Sequence, residues 1–233
     1  MPDPTLFVNA DKLPLPRNHY VAWLDVMGVQ SIMSRSLPIS ANFILKFHLA
    51  ALSARQTGVE LFPVMDGLYA VAAEQEPLKV FLRRLYHCLA QSFSSTAEDK
   101  HVFVVRGGLA YGPIVKGADV PPEAAPGLAS ESAYARTLLL GMPVIQAHVG
   151  EAQAPPFGVF VGESARAFAP AGAKPFNEVW WRWFEPSDRA VAKKLRKRLS
   201  QYYAWCESNS RSLLYDSARI EAHRSTAEQF LPE

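Results

Sequence analysis

The 233-residue chain has only two cysteines, Cys88 and Cys206, and no CxxC spacing, so neither a disulfide framework nor a thiolate metal site is expected. Each lies among helix-forming residues and reads as a buried free thiol in a reducing compartment. No apolar run reaches about 18 residues, which argues against a membrane-spanning helix. The opening Met-Pro-Asp-Pro-Thr lacks the basic and apolar stretches of a secretory signal, so the expected location is the cytoplasm. Charge of one sign is also missing: 24 Lys and Arg against 22 Asp and Glu leave +2 at pH 7, too little to hold nucleic acid through bulk charge. The six histidines include no H-x-x-x-H pair, which removes the usual zinc sites. No serine stands in a G-x-S-x-G context, so a hydrolase elbow is absent too.

What the chain does have is apolar content, 49%, enough to bury a substantial core. Residues 1–18 are Pro-rich and irregular and read as an arm. Residues 19–233 read as one domain, without repeats or a low-complexity linker. His19–Val26 (HYVAWLDV) is a strand apolar on both faces, ending near Gly28. Leu45, Leu49 and Leu52 recur at helical spacing within 31–54. Val59–Val64 and Leu68–Ala72 are short strands around Met65-Asp66-Gly67, a hairpin signal because Asp and Gly tolerate positive φ. Pro77 opens a helix striped by Val80, Phe81, Leu85 and Leu89. Strands follow over 101–105 and 107–115. A helix is expected over 130–151, interrupted by Gly141 and Pro143, then strands over 157–161 and 178–184. A last helix spans 187–208 behind Pro186-Ser187-Asp188, and the tail beyond is polar. The order strand, helix, hairpin, helix, strand is the α+β, ferredoxin-like β-α-β-β-α-β plan: an antiparallel sheet with helices on one face.

Two aspartates stand out on this plan. Asp25 ends an apolar strand, where a carboxylate is costly unless a cation or donors meet it. Asp66 sits in the hairpin tip, and pairing of the hairpin beside the first strand brings both carboxylates to one sheet edge. A divalent metal between them removes their repulsion, and Mg²⁺ accepts one or two carboxylates plus phosphate oxygens and water. The backbone turning at Gly28 toward the next helix offers N–H groups to phosphates.

Three motifs in order resemble class III nucleotidyl cyclases: Leu24-Asp25-Val26-Met27-Gly28-Val29, then Val64-Met65-Asp66-Gly67-Leu68-Tyr69, then Arg106-Gly107-Gly108-Leu109-Ala110-Tyr111-Gly112-Pro113-Ile114. The resemblance covers residues 19 to about 161. It implies Asp25, Val26 and Asp66 as ligands of two Mg²⁺ or Mn²⁺ ions, and Asp25, Asp66 and Arg106 as catalytic. It places nucleotide contacts at Val26, Met27, Gly28, Val29 and Phe62.

The pattern departs at three positions. Phe62 stands where adenylyl cyclases carry a base-reading lysine, so it either stacks on a base or fills the core. Ile145 and Val149 replace the Asn and Arg of the later helix. Arg106, Arg136 and Lys116 are candidates to neutralise charge in their place. Gly141 to Glu151, with the Trp-rich late strand, resembles the bacterial pyrimidine cyclases of Pycsar anti-phage systems. That resemblance implies cyclisation of UTP, or less readily CTP, and a homodimer with active sites at its interface. It also implies a cyclic nucleotide that signals to a separate effector. The alternatives are an inactive or regulatory nucleotide-binding module and a purine cyclase. A polymerase palm is a further one, although a palm hairpin usually carries paired acids.

Two other features read as structural. Trp181 and Trp183 fall on one face of a strand and Trp180 on the other, as core or dimer packing. The run Lys193 to Arg198 reads as a solvated helix face with Leu195 and Leu199 turned inward.

Overall fold

The computed structural model describes residues 6, 8–28, 33 and 36–233. Among them a seven-stranded sheet has the order β2-β3-β1-β4-β6-β7, with β5 pairing β4. The strands are β1 (Arg17–Val26), β2 (Glu60–Val64), β3 (Gly67–Ala72), β4 (Val105–Lys116), β5 (Leu139–Leu140), β6 (Val159–Val161) and β7 (Trp180–Trp181). The longer helices are α1 (Leu37–Ser53), α2 (Gln75–Ser95), α3 (Met142–Glu151), α4 (Arg189–Ser208) and α5 (Ser217–Phe230). Pairing is antiparallel except between β4 and β6. The core order β1-α1-β2-β3-α2-β4 is the ferredoxin-like plan, and the fold is α+β.

β1 lies between β3 and β4, so its alternate residues enter two different layers. Tyr20, Ala22, Leu24 and Val26 face the large core, with Phe43 and Phe47 of α1, Phe81 and Leu85 of α2 and Leu195 and Leu199 of α4. Val21 and Trp23 face the other way, into a smaller cluster with Phe62, Val71, Ala110, Ile114 and Ala147 of α3. Helices therefore cover both faces, not one, because α3 returns across the second face. Gly108 admits it: a Cβ there would lie 2.1 Å from the Ala147 carbonyl oxygen and 2.6 Å from the Glu151 nitrogen.

Several sequence expectations are corrected. Leu45, Leu49 and Leu52 are exposed, and α1 buries Phe43, Phe47, Ala50 and Ala51 instead, because the aromatic rings fill more of the space above the sheet. α2 starts two residues before Pro77, which still falls among the N–H groups without an intrahelical acceptor. The expected 130–151 helix is broken into a single turn at Ser132–Ala135, then β5 and α3, which Gly141, at φ 146°, divides. The Trp-rich strand is only two residues long, so alternation ends before Trp183, whose buried indole donates to the Phe157 carbonyl at 2.9 Å. The polar tail folds as α5, burying Ile220, Ala227 and Phe230. Cys206 is buried, its thiol pushed up to about 12 chiefly by burial, but Cys88 is exposed. Among the described residues no helix is long and apolar enough to cross a membrane.

Candidate active site

The register of the three central strands assembles the candidate residues. Asp25 pairs with Gly67 of β3 on one side and Arg106 of β4 on the other. Its parity with Val21 and Trp23 turns its carboxylate to the face that α3 covers. Asp66 precedes Gly67 at the hairpin tip, between β2 and β3. The hairpin is tighter than the Asp-Gly pair implies: the left-handed residue is Met65, at φ 52°, and Gly67 is an ordinary strand residue. Glycine is needed at 67 for room, since a Cβ would come within 2.4 Å of the Trp23 ring. The Met65 carbonyl also meets His48 Nε2 of α1 at 3.4 Å, which ties the tip to the helix.

A third carboxylate completes the cluster. Glu151, the last residue of α3, is buried and accepts from Nε of Arg106, while Arg106 Nη1 reaches the Ala152 carbonyl at 3.5 Å. Asp25 is only partly exposed, and its carboxyl is pushed up to about 7. Burial contributes most, then the charges of Glu151 and Asp66; Arg106 and a hydrogen bond donated by the Val26 N–H pull the other way. Three carboxylates thus face one guanidinium, a deficit of positive charge at the edge of the sheet.

That deficit fits a hard divalent cation, because the donors are all oxygens and Val26 can add only its main-chain carbonyl. Among the described residues no three His, Cys, Asp or Glu side chains form a ready metal cage. A Mg²⁺ site completed by substrate phosphates does not require one.

No family model matches the chain, and no curated protein matches it. Among solved structures it is similar to the guanylyl cyclase domain of the RhoGC fusion protein from the aquatic fungus Blastocladiella emersonii. Identity is 18%, over 66% of this chain and 85% of that one, with a TM-score of 0.47. It is also similar to the guanylate cyclase domain of RhGC from Catenaria anguillulae in complex with GTP: 15% identity, 65% and 81% coverage, TM-score 0.45. A third is an adenylate/guanylate cyclase/hydrolase from Silicibacter pomeroyi, at 16% identity, 64% and 77% coverage and TM-score 0.47.

The remaining sequence candidates separate. Gly28 follows the strand exposed at φ 77°, Met27 donates its N–H to the Val104 carbonyl at 2.8 Å, and Val29 lies outside the described residues. Phe62 is buried with Trp23, Val71 and Ala147, which is the core reading of that position rather than an open stacking face. Lys116 ends β4 some ten residues, about 30 Å, from Arg106. It binds Glu60 at 2.8 Å there, and Arg136 ends the Ser132–Ala135 turn three residues before β5, whose Leu139 pairs with Lys116. Neither cation belongs to the Asp25 edge.

Sequence reasoning missed Glu151, His148 and the Trp23–Tyr69 pair. Trp23 and Tyr69 are register partners with ring centroids 4.5 Å apart, and exposed His148 meets Trp23 edge-on at 5.2 Å. Glu151 closes the Gly141–Glu151 motif, but its partner lies 45 residues away, a separation no local pattern reveals.

Proposed function

We propose that the chain is a nucleotide cyclase that converts UTP, or less readily CTP, to the 3′,5′-cyclic monophosphate and pyrophosphate. The observation that carries this reading is the carboxylate cluster: Asp25, crowded by Glu151 and Asp66, stands at the sheet edge where two strand ends and a hairpin tip meet. The pyrimidine preference rests on the sequence motifs, above all the missing purine-reading lysine at Phe62 and the 141–151 segment.

Asp25, the Val26 carbonyl and Asp66 would hold two Mg²⁺ or Mn²⁺ ions. When bound, the ions supply acidification of the ribose 3′-hydroxyl and neutralisation of the triphosphate. Asp25 and Asp66 fix where that charge is taken up. Arg106 supplies positive charge beside the transferring phosphorus and is itself held in place by Glu151. Positioning and charge neutralisation carry most of the rate in phosphoryl transfer, so no dedicated side-chain base is required.

Each face of the sheet carries a helix with an exposed apolar stripe: Leu45, Leu49 and Leu52 on α1, and Met142, Ile145 and Val149 on α3. They support a homodimer in which each site is completed by the partner chain. The cyclic product would signal to a separate effector in anti-phage defence, in the cytoplasm.

The test is incubation with ATP, GTP, CTP and UTP in Mg²⁺ or Mn²⁺, with products resolved by mass. A cyclic monophosphate from UTP or CTP alone, lost in a normally folded Asp66→Ala variant, is expected. Full activity in that variant would overturn the metal assignment, and cyclisation of ATP or GTP would overturn the base preference.

A further inference from the structure

Helix α4 carries Arg189, Lys193, Lys194, Arg196, Lys197 and Arg198, with no acidic residue before Glu207. Like charges four residues apart oppose a helix. Arg189 with Lys193, Lys193 with Lys197, and Lys194 with Arg198 are all such pairs. An ordinary solvated face mixes its signs. Arg198 is matched by Asp99 at 2.6 Å and the Thr96 carbonyl at 3.2 Å. Arg196 is matched by the Leu231 carbonyl at 3.1 Å and Glu233 at 3.7 Å. Among the described residues Lys193, Lys194 and Lys197 have no acidic partner.

Beside these lysines lies a cavity of about 600 Å³ between α4 and α5. Lys193, Arg196 and Lys197 form one wall and Arg224 of α5 the other, with Glu228 and Glu233 also on its lining. Arg224 is held in place by Glu207 at 3.2 Å and by Glu221. Tyr203 also lines the cavity. It is 1% exposed, and its hydroxyl is buried without a hydrogen-bond partner among the described residues. The cavity stands on the large-core face of the sheet, opposite the face toward which Asp25 turns.

The shape and charge select the ligand. The volume is that of a small-molecule site, roughly 300–1,000 Å³. No strongly exposed apolar side chain lines it, so a membrane has nothing to receive. No exposed aromatic flanks it for successive bases to stack on, as single-stranded nucleic acid requires. An acidic peptide spreads like-facing carboxylates about 7 Å apart along an extended strand. Lys193 and Lys197, without acidic partners, together with the ion-paired Arg196 and Arg224 on the same lining, match the denser charge of a phosphate chain instead. We propose that the α4–α5 cavity binds the polyphosphate chain of a small molecule, either a nucleoside polyphosphate or inorganic polyphosphate. This inference is independent of the cyclase reading.

The test is calorimetric titration of the full chain with inorganic tripolyphosphate and, separately, with UTP, both in EDTA to silence a metal-dependent site. One site per chain is expected. Binding should weaken at least tenfold in the double variant Lys193→Glu, Lys197→Glu, and stay unchanged in Lys194→Glu and Asp25→Asn. Thermal melts of the double variant should match the parent or exceed it: the repulsion between positions 193 and 197 is exchanged for one of similar size, and that between Arg189 and position 193 becomes an attraction. Binding of UTP but not tripolyphosphate that survives the double variant would overturn the proposal, as would no binding of either. A single-stranded RNA 12-mer that binds tenfold tighter than tripolyphosphate, and is lost in Lys194→Glu, would assign the face to nucleic acid instead.

Discussion

Asp25 is costly to the fold at the edge where the proposed site would use its charge. Its carboxyl is raised from 3.8 to about 7, so the folded chain holds that proton more tightly than the unfolded chain does. The associated stability is fully present below pH 4 and is lost as pH rises through 7. The complete displacement would correspond to about 4 kcal/mol, but water on the open side screens it, leaving about 1–2 kcal/mol. Asp25→Asn in the metal-free protein is therefore expected to raise the unfolding free energy by that amount at pH 8 and by almost nothing at pH 4. Denaturant melts at the two pH values check this; equal effects at both would show that the charge is not what Asp25 costs. Met65 makes a second local case. A methionine at φ 52° is strained, and asparagine tolerates that region several-fold better, so Met65→Asn should gain about 0.5 kcal/mol in a denaturant melt. A loss there would mean that the exposed side chain makes contacts beyond its own turn.

At the level of elements, α3 is the piece that turns a ferredoxin-like sheet into a site. It lays Ala147 and Glu151 across Gly108, two strand positions from Arg106 and so on the same face of the sheet. Gly108→Ala should push the helix off the sheet at a cost of about 2–4 kcal/mol and separate Glu151 from Arg106. Thermal melts together with turnover measure both consequences. An unchanged melting temperature would show that α3 can shift without loss. These elements were unevenly legible. β1, the hairpin and α2 follow from apolar runs and turn residues that are close in sequence. Asp25 stood out because a charge inside an apolar strand breaks a local rule, whereas Asp66 is an ordinary turn acid and drew attention only through the pairing that brings it to the Asp25 edge. Glu151 stands at the C-terminal end of a short helix, where the dipole disfavours an acid, and only the long-range return of α3 gives it Arg106 as a partner. The α1 stripe shows what spacing leaves open: Leu45, Leu49 and Leu52 have the helical period, yet they lie on the exposed side. Periodicity states that a face exists and does not state which of two apolar faces is buried when Phe43 and Phe47 compete for the core. Helix α5 was missed because only Ile220, Ala227 and Phe230 of its fourteen residues are buried, too sparse a pattern to rise above a polar tail.

For the whole molecule, the proposed pairing makes the exposed stripes on α1 and α3 into the surface that decides oligomeric state. Leu49→Glu combined with Val149→Glu leaves the core untouched, since both side chains are more than half exposed. The double variant is expected to be a folded monomer by light scattering, with the proposed cyclase turnover reduced at least a hundredfold. A fully active monomer would show that one chain builds the site alone. The strand order carries one more consequence, which concerns synthesis rather than the finished protein. β1 is apolar toward both faces, yet its partner β4 ends at Lys116, some 90 residues later. At about 5–20 residues per second, a nascent chain holds that strand without its second neighbour for roughly 5–20 s. During this interval the only pairing available to it is the hairpin β2–β3, which emerges first. The hairpin that sets Asp66 beside Asp25 in the folded protein is thus also the cover that keeps a sticky strand from meeting another chain on the ribosome.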